Sequence, residues 1–350
     1  MKVTAALACF VADAGLATAQ EAMFIPEAFP PHIEARLVEQ DAFLLTGLIS
    51  ASDQAYLERL KLWDPSQTIQ VCFFGGSPQL RVRIAQGALE WTKLGGNVNL
   101  DFGSGPVPPD CGAGDYYEAR VGFGYDGYWS LRGRDSVNLA PQSEQSMNFE
   151  MFDVNPLPEP EFTRVVIHEF GHLVGFIHEH QSPYSDCESE FNWPAVYAYL
   201  GGPPNNWPQS RVDSQLRAKI VSSPVASGFD ARSVMLYTFP SEFYVNGTSS
   251  RCYHAPNYRI SDLDRAAVRQ LYPADAAEAS AIREDALNNV IVAIGNLDAP
   301  LDARVAAQAV VAATVGDSFA GDEGAGASFD IQNFGFDQFS RGITISPSSP

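Results

Sequence analysis

Positive charge is scarce in this chain: 22 Lys and Arg stand against 42 Asp and Glu among 350 residues, a formal net charge of −20. A phosphate backbone is read with basic patches, so the deficit argues against nucleic acid as a partner. The acidic excess itself says mainly that the chain is soluble and self-repelling. Long apolar runs are also missing. Val3 to Leu16 and Ala303 to Ala313 come nearest, and both fall short of the roughly 20 residues of a membrane-spanning helix. Cysteine is sparse, with 5 in the chain and no CxxC pair, which removes the spacing that zinc ribbons use. No internal repeat recurs.

What is present can fold. Hydrophobic residues make up 45% and charged residues 18%, enough for one sizeable domain or two small ones. The N-terminus reads as a secretory signal peptide over residues 1–19: Lys2, an apolar run to Leu16 broken by Asp13, then Ala17-Thr18-Ala19. The expected location is therefore extracellular. Removing that segment takes Cys9 and leaves Cys72, Cys111, Cys187 and Cys252. An even count in an exported protein suggests two disulfides, with three pairings open.

Residues 20–62 form an N-terminal extension or short propeptide, helical from Asp53 to Leu62, in which no latency device is evident. The sequence Pro109-Asp110-Cys111-Gly112 looks superficially like a cysteine switch but lies inside the presumed catalytic domain, so Cys111 is read as a disulfide partner. Thr68 to Phe74 is β-branched and aromatic, a strand bounded by Gly75-Gly76. Apolar residues at helical spacing from Leu80 to Leu94 end at Gly95-Gly96. Strand-like runs follow at Val98–Phe102, Glu118–Phe123, Ser136–Ala140 and Ser146–Phe152, and helical patterns at Glu161–Val174 and Asp262–Tyr272. The fold class expected is mixed α/β (α+β). An Ala-rich region, residues 274–315, suggests helices at Ala276–Gly295 and Asp302–Val315, and residues 316–350 read as a disordered tail.

The informative segment is His168-Glu169-Phe170-Gly171-His172-Leu173-Val174-Gly175-Phe176-Ile177-His178. On a helix His168 and His172 project from one face and can reach one ion. Glu169 is offset beside the metal, where a carboxylate can take a proton from a bound water. A continuous helix would carry His178 to another face. Gly175 allows the helix to stop in a left-handed turn, after which His178 can swing back as third ligand. Four of the 6 histidines fall between His168 and His180. Three His ligands with an open position suit one catalytic Zn2+, because structural zinc sites are closed by four protein ligands. His180 is the poorer ligand candidate, and Glu179 reads as a structural acceptor.

This segment resembles the extended zinc signature HExxHxxGxxH of the metzincin metallopeptidases. Ser233-Val234-Met235-Leu236-Tyr237 is similar to the Met-turn of astacins, and Ile260 to Asp264 leading to Leu271-Tyr272-Pro273 resembles the closing helix of astacin-like domains. His178-Glu179-His180-Gln181-Ser182-Pro183 is similar to a variant of bacterial and fungal astacin-like peptidases, with matrixin-like as second choice. The resemblance covers residues 63–273 and implies a metzincin catalytic domain with a twisted mixed sheet. It implies Met235 as an apolar floor under the metal and Tyr237 as a group that hydrogen-bonds the transition-state oxyanion. Proximity in that fold favours the pairs Cys72–Cys111 and Cys187–Cys252.

The implied activity is a secreted zinc endopeptidase, favoured as a monomer, acting on proteins or peptides with Glu169 and Tyr237 as catalytic residues. An extended substrate would pair with an edge strand, for which Ser136–Ala140 is the candidate. The competing readings are a catalytically silent secreted binding protein on the same scaffold and a structural zinc domain. The first would be marked by a missing Glu or ligand, and none is missing.

Overall fold

The computed structural model describes residues 27, 29–44, 51–64, 66–112, 114–203, 205–217 and 228–295. The proposed signal peptide, the helix expected at Asp302–Val315 and the tail from 316 lie outside them.

Two helices, α1 (Pro31–Leu44) and α2 (Ala51–Leu60), precede the first strand, β1 (Thr68–Phe73). Helix α3 (Pro78–Ala88) starts where the Ser77 hydroxyl accepts from the Leu80 N–H, with Pro78 at the first helical position where no N–H is needed. The helical pattern read to Leu94 breaks at Ala88; Trp91–Leu94 forms a 3-10 turn ended by left-handed Gly95. Strands β2 (Asn99–Asp101), β3 (Ala119–Gly122) and β4 (Tyr128–Ser130) follow, then α4 (Asp135–Asn138), β5 (Met147–Phe149) and α5 (Glu161–Leu173). The chain continues through α6 (Trp193–Gly201), α7 (Gln209–Leu216), α8 (Asp262–Leu271) and α9 (Ala276–Gly295).

The strands form one five-stranded sheet in the order β2-β1-β3-β5-β4. All pairs are parallel except β4 with β5, so the sheet is mixed, with an antiparallel edge strand. Helices α3 and α5 pack together and bury Ile84, Ala88, Val166 and Phe170 against Val71, Phe73, Val121 and Phe149 of the sheet. Burying each of the Val, Ile and Phe side chains stabilises by about 1.5–3 kcal/mol. Trp91 locks the layer to α5 by donating its ring N–H to the Ile167 carbonyl, 2.8 Å away. A second apolar cluster (Phe191, Val196, Leu200, Phe239 and Phe243 among its members) surrounds the Cys187–Cys252 disulfide. The Cys72–Cys111 disulfide ties β1 to the loop between β2 and β3. Both pairings agree with the pairs favoured from the fold. Helix α2 packs against α9, and Leu57 and Leu60 are buried.

One strand expectation fails. Ser136–Ala140 is no edge strand; Asp135–Asn138 is a single helical turn. Its Ser136 is fully buried and spends its hydroxyl on the Glu118 carbonyl and on Ser146, side-chain bonds that hold a turn against β3 rather than a ladder. The antiparallel edge of the sheet is β4 instead.

Candidate active site

Helix α5 carries His168 and His172 one turn apart on a buried face. It ends at Leu173, and Gly175 adopts φ +105°, a left-handed conformation that costs other residues energy. A Cβ there would also collide with Leu62. The turn returns the chain so that His178 faces the same point: its Nε2 lies 3.1 Å from Nε2 of His172, which is 3.3 Å from Nε2 of His168. Between ligands about 2.0–2.1 Å from a tetrahedral zinc, such edges are about 3.3 Å.

The hydrogen-bond pattern of the rings suits a cation there. His168 Nδ1 lies 2.8 Å from the Val234 carbonyl and His172 Nδ1 lies 2.8 Å from the Phe176 carbonyl. Carbonyls only accept, so Nδ1 carries a hydrogen on both rings, and in the neutral form of each ring the Nε2 lone pair faces inward. Burial pushes the His168 imidazolium down to about 4, outweighing its bond to Glu27. The donor set, neutral imidazoles with partnered Nδ1 atoms, is the one zinc takes.

The fourth member of the cluster was not visible in the sequence. Glu27 Oε1 lies 3.3 Å from His168 Nε2, 3.1 Å from His172 Nε2 and 2.9 Å from His178 Nε2. These four residues form a buried group whose ligand atoms all lie within 4.8 Å. Burial alone would raise the Glu27 carboxyl, but His178, His172 and His168 draw it well below the usual range. An isolated Glu between Pro26 and Ala28 has no spacing that betrays its place in this cluster.

Glu169 stands apart from the ligand cluster. It is buried, and its Oε2 has no hydrogen-bond partner among the described residues. Burial, then the Glu27 charge, raises its carboxyl well above the ordinary value. The Tyr237 ring lies 4.0 Å from the His178 ring, and its hydroxyl accepts from the Glu27 N–H at 3.3 Å. Met235 is buried under α5; a Cβ on Gly171 would clash with its sulfur and lie 2.9 Å from Trp91. His180 is outside the ligand cluster, stacked 5.5 Å from Tyr237, and Glu179 accepts from the Asp230 N–H at 2.8 Å.

No family sequence model matches the chain, and no curated protein does. Among solved structures, myroilysin is 31% identical with a TM-score of 0.52, the match covering 61% of this chain and 97% of that one. A second myroilysin crystal structure is 32% identical with a TM-score of 0.44, covering 61% and 86%. High choriolytic enzyme 1, a hatching enzyme zinc-protease from Oryzias latipes (medaka fish), is 13% identical with a TM-score of 0.38, covering 60% and 94%. The cluster of three histidines and a carboxylate fits one catalytic zinc. With nearly the whole of myroilysin spanned at that identity, the chain belongs to the astacin-like metzincin metalloproteases.

Proposed function

We propose that the chain is a secreted zinc endopeptidase, and that Glu27 keeps the form described here latent. The observation that carries the reading is the convergence of three Nε2 lone pairs on one point beside a buried, unpartnered Glu169 carboxylate oxygen. A bound zinc, held by His168, His172 and His178, supplies Lewis acidity toward the scissile carbonyl and acidifies water. Glu169 takes the water proton and passes it to the leaving amine, a task suited to a carboxyl that burial raises above its ordinary pKa. Tyr237 donates its hydroxyl to the developing oxyanion. Met235 supports α5 from below.

Glu27 Oε1 lies among the three Nε2 atoms, where water would have to enter, so substrate access would require its departure. The segment carrying it lies against the sheet edge: Phe29 packs 5.5 Å from Trp129 of β4, and the Phe29 carbonyl accepts from Arg211. An extended peptide replacing that segment would pair along β4. Two disulfides and the N-terminal signal pattern support export, and no helix among the described residues is long and apolar enough to cross a membrane.

The test is Glu169→Gln, assayed on casein before and after limited proteolysis, with zinc content measured alongside. Zinc should stay bound while hydrolysis disappears, and a chelator should abolish hydrolysis by the unsubstituted protein. Undiminished hydrolysis by E169Q would sink the mechanism.

A further inference from the structure

Asp264 sits on α8, remote in sequence from every residue given a catalytic or ligand role, yet it is buried beside the metal-site turn. Its ordinary task is visible: it is the third residue of α8, and it closes a capping box with Ser261. Ser261 Oγ accepts from the Asp264 N–H at 2.9 Å, and Asp264 Oδ2 accepts from the Ser261 N–H at 2.9 Å. A cap needs no more than that. Here Oδ2 also accepts from the Val234 N–H at 3.1 Å, and Oδ1 accepts from the Ser233 hydroxyl at 2.6 Å. Three donors converge on this carboxylate.

The bonds continue toward the metal. Ser233 Oγ accepts from the Met235 N–H at 3.0 Å. That N–H and the Val234 carbonyl belong to one peptide unit, and the carbonyl accepts from His168 Nδ1 at 2.8 Å. The path therefore runs from the Asp264 carboxylate through the Ser233 hydroxyl and the Val234–Met235 peptide to the imidazole of His168. Every donor in it points away from the metal. Bonds in such a chain polarise one another, and a carboxylate at its end makes the peptide carbonyl a stronger acceptor. A stronger acceptor at Nδ1 fixes the ring and makes the opposite nitrogen a better ligand. The same turn is tied to the third histidine as well, since the Met235 carbonyl accepts from the N–H of Glu179, next to His178, at 3.0 Å.

We infer that Asp264 is a positioning residue of the metal centre, acting on His168 through Ser233 and the Val234–Met235 peptide; the inference rests on the zinc-peptidase reading above. It is a known arrangement in which a carboxylate orients a ligating imidazole, with a hydroxyl and a peptide interposed. Asn257 supplies a built-in comparison. Its side-chain amide donates to the Ala231 and Ser233 carbonyls at 3.0 Å each, bracing the same turn without entering the path to His168.

The experiment uses the full chain loaded with zinc, in four forms: unsubstituted, D264N, S233A and N257A. The readouts are the rate of zinc transfer to an excess chelator, the visible spectrum after cobalt replacement, and the thermal midpoint. D264N and S233A should release zinc about 10- to 100-fold faster and shift the cobalt bands, while N257A lowers the midpoint and leaves both metal readouts unchanged. Should D264N fail to fold, S233A carries the test. Unsubstituted release rates and cobalt spectra in a folded D264N or S233A overturn the inference. So does an N257A that speeds release as much as they do, since bracing of the turn would then suffice. An unsubstituted chain that takes up no zinc overturns the peptidase reading instead, and this inference with it.

Discussion

The Glu27 carboxylate lies 2.9 Å from Nε2 of His178, a contact that spans 151 positions of the chain. Against burial, the histidines around it hold its pKa well below the usual carboxylate range, and in the proposed zinc-loaded form it would compete with water. A tethered competitor acts at an effective concentration of roughly millimolar. Glu27→Gln in the full chain should therefore raise peptide hydrolysis without proteolysis, on the order of tenfold or more by that effective-concentration argument. Limited proteolysis should raise the unsubstituted protein toward the same level. Equal activities of uncleaved E27Q and uncleaved unsubstituted protein would refute the latency.

Tyr237 offers a cleaner separation of binding from turnover. Its ring lies 4.0 Å from that of His178, and its hydroxyl accepts from the Glu27 N–H. Tyr237→Phe should lower kcat by about 10²–10³, the usual effect of removing one oxyanion donor, with KM and zinc content little changed. Steady-state kinetics on the proteolysed protein check this; an unaltered kcat removes Tyr237 from the mechanism.

Gly171 tests how tightly the Met-turn fits under α5. On helix propensity alone Gly171→Ala would stabilise by about 0.5–1 kcal/mol. The added Cβ meets the Met235 sulfur and the rigid ring of Trp91, and overpacking of a full core costs about 1–3 kcal/mol. The second effect is larger, so G171A should unfold at a lower temperature. A raised midpoint in calorimetry would show that the turn yields.

The pH dependence of stability should carry the mark of Glu58. This buried carboxylate pairs with Arg132 and with Lys61 at 3.4 Å; burial opposes its charge, yet those partners lower its pKa to about 2. Its folded pKa is below the unfolded one, so its contribution is full above about pH 4.5 and is lost as pH falls toward 2. A shift of that size corresponds to roughly 3 kcal/mol at one pKa unit per 1.36 kcal/mol. Glu58→Gln should be less stable at neutral pH and lose less stability between pH 5 and 3. Parallel melting curves for the two proteins across that range would contradict the assignment.

What could be read along the chain was whatever depends on near neighbours. The 3.6-residue repeat places His168 over His172, and a glycine three residues on accounts for the return of His178. The α5, α8 and α9 patterns are amphipathic or cap-bounded, and they match helices in the fold. Ser136–Ala140 was misread because alternating small and apolar residues look the same in a strand and in a turn pinned by side-chain bonds. The capping box of α8 is legible as Ser261-x-x-Asp264, but the same carboxylate's bonds to Ser233 and Val234 are not.

The sequence by itself was enough to pick out the three histidines and the glutamate as candidates, because a ligand set on a helix and one turn is a matter of local geometry. The tertiary structure alone decided that Glu27 reaches them and that Asp264 stands behind His168. Those contacts cross 151 positions for Glu27 to His178 and 30 for Asp264 to Val234, and chain periodicity carries no information over such distances. Only the packing of the N-terminal segment against the sheet edge, and of α8 against the turn, brings those carboxylates in.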